Sequence, residues 1–226
     1  MMLSEIQAEY DMLTADALAA WLAHPDTGAL AAADPRRGRL GVTSGRLIPP
    51  NPALLALHDE ITALAQDDAL LAPVPRASLH FTFLALAWDH YDNPAALPPA
   101  FAEAHALFDE CVRGLNFTVH NLRLLPLRNG LVLAGMPDAA GLTARQRLTE
   151  ALLGTAWRPL LEERYARLPL PPKLWHTTLV RYGRQFAPQT LRALYHAHAG
   201  RNLGTIELGE PDLLMTDMTW SVRLRL

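Results

Sequence analysis

The order of strand and helix signals, run through twice, most restricts what this chain can fold into. The first pass opens with the apolar run SLHFTFLALA (Ser78–Ala87). A helix follows, opened by Pro98 and Pro99 and closed near Gly114. Two strands, FTVHNLRLLPLR and LVLAGM, then flank Asn129-Gly130, a strong hairpin signal because its two central residues tolerate positive φ. The second pass opens with KLWHTTLVRY (Lys173–Tyr182). Its helix starts at Pro188 and stops at Gly200, and the strands GTIELG and LLMTDMTWSVRLRL follow. A long helix from about Thr143 joins the passes. Thr143 and Gln146 form a capping-box pattern, while Gly154 and Pro159 bend or interrupt the helix. Two strand–helix–strand–strand units predict an α+β protein with a duplicated lobe. An approximate twofold relation would set equivalent positions of the two opening strands across a groove.

Upstream, Leu3, Ile6, Tyr10, Leu13, Ala17 and Trp21 recur at helical steps until Pro25 ends the run. Residues 25–50 are rich in Gly, Pro, Asp and Arg and read as a loop or lid with one short strand near Leu40–Val42. A helix after Pro52 runs through Leu54, Leu55, Leu57, Ile61 and Leu64. The expected division is therefore an N-terminal helix-and-loop extension over 1–50 and a main domain over 51–226.

Composition excludes several classes. A net charge of −3 argues against a non-specific duplex-DNA binder, which needs a dominant basic face. It leaves room for a nucleotide or a short RNA end in a local pocket. Nothing approaches the run of about 20 apolar residues that spans a bilayer, and the N-terminus lacks the pattern of a signal peptide. No membrane role and a cytoplasmic location are expected. Cys111 is the sole cysteine, so no intrachain disulfide forms; it reads as a small buried apolar residue rather than a nucleophile.

Two His-x-Thr motifs carry the chemistry. They are His80-Phe81-Thr82 and His176-Thr177-Thr178, and each lies in one of the two opening strands. Alternation puts His80 and Thr82 on one face, with Leu79, Phe81 and Phe83 on the other. His176 and Thr178 likewise share a face, opposite Trp175 and Leu179. Phosphodiester cleavage needs one neutral imidazole to accept a proton and one charged imidazole to donate one, and His reaches both states near neutrality. Each Thr hydroxyl can donate to a non-bridging phosphate oxygen as charge builds there. As bare strings two such matches are unexceptional; their apolar strands and their places in the repeated layout give them weight.

This paired His-apolar-Thr-apolar pattern, about a hundred residues apart, resembles the two-histidine (2H) phosphoesterase superfamily, which includes LigT-like RNA ligases and cyclic nucleotide phosphodiesterases. The resemblance covers roughly residues 50–226. It implies a bilobal fold with the active site in the groove, and catalytic roles for His80, Thr82, His176 and Thr178. It implies action on 2′,3′-cyclic phosphates, 2′–5′ linkages or RNA 3′ ends. Neither metal nor cofactor is expected. The second motif also matches a longer form, His-x-Thr-x-x-Arg, through Arg181. Two departures stand out: Thr177 fills a position usually apolar, and the first motif continues LALAWDH without the glycine and basic residues of the ligase-like branch.

Other residues read less sharply. Strict alternation puts Arg181 opposite His176, whereas a bulge would return it to the groove for phosphate contact. Tyr182 falls on the His176 face and is a candidate for stacking on a base. Asp89, His90 and Asp92 could bind a metal in another fold, but a polar loop is the better reading. The expected activity is a metal-independent 2′,3′-cyclic phosphodiesterase. Its rivals are an RNA ligase, a 3′-end nuclease and an inactive nucleotide-binding module.

Overall fold

The computed structural model describes residues 2–32, 38–88, 90–166 and 168–226. Helix α1 (Leu3–Ala23) buries Ile6, Tyr10, Ala17 and Trp21, much of the stripe read from the sequence. Strand β1 (Gly41–Leu47) follows, then α2 (Pro52–Asp67), whose start is capped by the Asn51 side chain accepting from Leu54 N. A short strand, β2 (Leu71–Pro73), and a single 3₁₀ turn lead to β3 (His80–Ala85). Next come α3 (Phe101–Val112), β4 (Thr118–Leu127) and β5 (Gly130–Pro137), with the Asn129-Gly130 turn where expected. Helices α4 (Ala139–Leu153) and α5 (Arg158–Arg164) cross to β6 (His176–Tyr182). The chain ends with α6 (Gln189–His198), β7 (Ile206–Glu207), β8 (Asp212–Thr216) and β9 (Arg223–Arg225).

Two expectations shift locally. Helix α4 begins at Ala139 rather than Thr143, because Asp138 takes the cap and its carboxylate accepts from Gly141 N at 2.8 Å. The segment LLMTDMTWSVRLRL folds as two antiparallel strands joined by a turn, because Asp217 accepts from Val222 N and reverses the chain.

Among the described residues the strands form two antiparallel sheets. One has the order β3-β1-β8-β9, the other β2-β6-β5-β4-β7. This is the expected α+β, two-lobed architecture, with His80 and Thr82 on a strand of one sheet and His176 and Thr178 on a strand of the other. The lobes do not follow chain order, however. The first unit gives β3 to one sheet and β4 and β5 to the other; the second gives β6 and β7 to one and β8 to the other.

Helix α1 and strand β1, which precede residue 50, are built into this fold. β1 lies inside the first sheet, bonded to β3 on one side and β8 on the other. α1 is tied in by Tyr10, whose hydroxyl donates to the Gly135 carbonyl and accepts from Trp175 N, both at 2.9 Å. A boundary at residue 50 cuts across these contacts: the Gly- and Arg-rich composition before it hides a strand whose residues Gly41–Gly45 are buried. No helix among the described residues is long and apolar enough to cross a membrane.

Candidate active site

A groove of about 430 Å³ lies between the sheets, and His80, Thr82, His176, Thr178 and Arg181 all line it. The apolar backing read from the sequence is present: Phe81, Phe83, Trp175 and Leu179 are fully buried.

Both motif strands carry a bulge directly after their threonine. In the β5–β6 pair, Leu131 faces Val180 and Val132 faces Thr178, so Leu179 is the extra residue. In the β1–β3 pair, Ser44 faces Leu84 and Gly45 faces Thr82, so Phe83 is extra. An extra residue reverses the alternation beyond it. The side chain three positions after each threonine thus returns to the groove: Arg181 in one strand, Ala85 in the other, and both line it. Of the two readings open for Arg181, the bulge selects groove contact. The same slip removes Tyr182 from the site. Tyr182 is 4% exposed, and its hydroxyl donates to the carbonyls of Leu127 and Arg128, both at 2.9 Å. It anchors the β4–β5 hairpin, and the expected base-stacking role is withdrawn.

The departure at Thr177 also has a structural reason. Thr177 is 1% exposed and points away from the groove, toward β3, where its hydroxyl accepts from His80 N at 3.3 Å. An apolar residue could not make this link between the two motif strands.

The two imidazoles sit in different surroundings. His80 Nδ1 lies 2.7 Å from the Ser78 carbonyl, so that nitrogen carries the proton and Nε2 is left to act. The ring stacks on Trp220 at 3.8 Å with 7° between planes. His176 Nδ1 is buried without a hydrogen-bond partner among the described residues. Burial pushes both rings below the ordinary histidine range. His80 falls to about 4; Arg181 and Arg223 add to the drop, while the Ser78 carbonyl and Asp217 oppose it. His176 falls to about 3, with His80, Arg181, Arg145 and Arg164 adding to the drop. In the free protein both rings are therefore neutral at pH 7, and the charges around them are mainly cationic.

Arg145 is a groove residue that the motifs do not mark. Its guanidinium donates to the carbonyls of Pro172 at 2.9 Å, Leu174 at 3.2 Å and Thr82 at 3.1 Å. It also lies over the Trp175 ring, 3.2 Å from the centroid. It joins the backbone of the first motif to the segment entering the second, and it lines the groove. Burial lowers its pKa to about 9, so it stays charged at neutrality. The signal available was an arginine on the apolar stripe of α4, in line with Gly141, Leu148 and Leu152. Trp220, Arg164 and the turn residue Asn129 also line the groove.

The remaining candidates lie elsewhere. His90 Nε2 is 3.3 Å from the Glu163 carboxylate and Asp92 pairs with Arg39, while Asp89 is outside the described residues. Among the described residues no three His, Cys, Asp or Glu side chains cluster as metal ligands. Cys111 is half-buried rather than buried as expected, packed against the core, and that partial burial raises its thiol pKa.

No family model matches the sequence, and no curated protein is recognisably similar to it. Solved structures are. The crystal structure of a phosphoesterase superposes with a TM-score of 0.51 at 14% identity, covering 83% of this chain and 94% of that one. E. coli LigT in its apo form gives 0.49 at 15% identity, over 83% and 94% of the two chains. TT0787 of Thermus thermophilus gives 0.47 at 17%, over 82% and 94%. The fold is thus similar to that of the phosphoesterase over most of the chain.

Proposed function

We propose that this chain is an enzyme of the 2H phosphoesterase type that opens 2′,3′-cyclic phosphates on nucleotides or short RNA ends, without a metal ion. The observation that carries the reading is the convergence of His80, Thr82, His176, Thr178 and Arg181 on one groove. A volume of about 430 Å³ suits a ligand of nucleotide size. The cationic surroundings of the imidazoles favour a phosphate and disfavour a cation.

The roles of the two histidines follow from their surroundings. His80 has a carbonyl acceptor at Nδ1, an aromatic face beside its ring and Asp217 nearby, all of which favour an imidazolium. His176, with Nδ1 buried and unpartnered, is better neutral. A bound phosphodiester anion raises both pKa values and charges His80 first. His176 then takes a proton from the attacking water, and that oxygen bonds to phosphorus. The P–O bond to one ribose oxygen breaks, and His80 Nε2–H delivers the proton to it. The hydroxyls of Thr82 and Thr178, with Arg181, hold the non-bridging oxygens as their charge grows.

The test is turnover of 2′,3′-cyclic nucleotides by the purified protein, with and without EDTA, beside His80→Ala and His176→Ala. Hydrolysis that resists EDTA and collapses in either variant is expected. No turnover, EDTA-sensitive turnover, or turnover that survives loss of either ring ends this proposal.

A further inference from the structure

Ser78, just before β3, is 4% exposed and serves two partners. Its carbonyl accepts from His80 Nδ1, and its hydroxyl donates to the Trp220 carbonyl at 3.3 Å. Trp220 lies in the β8–β9 turn, 3% exposed, parallel to the His80 ring. Its φ is 57°, in the left-handed region that a bulky side chain seldom adopts. Such strain persists only where the surroundings hold it. Here Trp220 N donates to the Asp217 carbonyl at 3.1 Å, and the Ser78 hydroxyl grips its carbonyl. Gly45 clears the space: a Cβ there would stand 2.9 Å from Trp220 Cη2 and 2.3 Å from the Phe81 carbonyl oxygen. A strained turn, a missing side chain and a shared serine thus combine to lay one indole flat on one imidazole.

We propose that Trp220 is a positioning residue for His80: its indole face fixes the plane of the ring whose edge Ser78 holds, and stabilises the ring's charged form during turnover. This rests on the reading of His80 as the proton donor. An indole presents a negative face to a cation. The other titratable or charged groups around His80 are Arg181 and His176 on β6, Arg223 on β9 and Asp217 in the turn. Arg181, Arg223 and a protonated His176 oppose charging. The indole and Asp217 are the side chains that favour it.

Trp220→Leu fills much of the volume without a π-face, and Trp220→Phe supplies a smaller one. The His80 pKa is read by NMR with inorganic phosphate present, and kcat and KM on a cyclic nucleotide. In Trp220→Leu the His80 pKa should fall by about 0.5–1 unit, and less in Trp220→Phe. kcat should drop about tenfold with KM nearly unchanged, and the alkaline limb of the kcat profile should move down with the pKa. An unchanged or raised His80 pKa, or a kcat equal to wild type, overturns the proposal. If Trp220→Leu does not fold, Trp220→Phe decides by the same readings. The NMR measurement needs no turnover. An inactive wild type therefore counts against the phosphodiesterase reading alone, and a pKa indifferent to Trp220 counts against this inference alone.

Discussion

Each threonine hydroxyl in the groove has one proton to offer a phosphate oxygen. Thr82→Val and Thr178→Val keep the shape and remove that donor. Each should lower kcat on a cyclic phosphate by about 10–1,000-fold, the cost of a lost transition-state donor. Steady-state kinetics on the two variants checks this, and wild-type rates would assign the hydroxyls to the fold alone. The histidines can be told apart by leaving group. An aryl phosphodiester expels a weakly basic oxygen that needs little protonation, so His80→Ala should lose far less on it than on a cyclic nucleotide. His176→Ala should lose as much on both. Protonation adds a second comparison. Unperturbed imidazoles would place a pH–rate bell around neutrality, but burial holds the free rings at about 4 and about 3. kcat/KM, which reports the free protein, should peak at lower pH than kcat, where the bound anion has raised both values. Coincident profiles would contradict that coupling.

At the scale of elements, the bulges decide which side chains the groove receives. His80, Thr82, His176 and Thr178 were legible because alternation holds over the three residues of each motif. Arg181 and Tyr182 were not, because a one-residue slip inverts every later position and leaves no mark in the sequence. The structure gives Arg181 to the groove and Tyr182 to the hairpin, and this division is testable. Tyr182→Phe removes a hydroxyl shared by two carbonyls. It should destabilise the protein by about 1 kcal/mol in denaturant unfolding while leaving kcat unchanged. Arg181→Met should instead raise KM and lower kcat, with little change in stability. The opposite pattern would return Tyr182 to the substrate.

Across the whole molecule, most helices and strands could be read from periodicity and turn chemistry. β1 was largely missed, since Gly41-Val-Thr-Ser-Gly-Arg-Leu47 has neither clear alternation nor an apolar run, yet it lies between β3 and β8. Pairing on both edges, rather than hydrophobicity, makes it a strand. A chain lacking residues 1–50 should therefore fail to fold, by circular dichroism and near-ultraviolet signal. A folded and active 51–226 fragment would restore the boundary the composition suggested. The whole molecule should also weaken in acid. The unfolded histidines titrate near 6.5 and the folded ones near 4 and 3, so the unfolded chain binds more protons as pH falls below 6.5. Stability should decline across that window, and the loss attributable to these rings should vanish in a variant lacking both.

The exchange of strands between the sheets has a consequence for how the protein comes into being. Gly41 pairs with Thr216, and Gly45 with Asp212. During synthesis β1 leaves the ribosome long before β8, and the sheet that carries His80 stays open along one edge of β1 until residues 212–216 emerge. Neither half can mature first and template the other. Ribosome-bound chains stopped near residue 200 should remain protease-sensitive throughout, and the full chain should refold slowly, because its defining contacts join residues far apart in sequence.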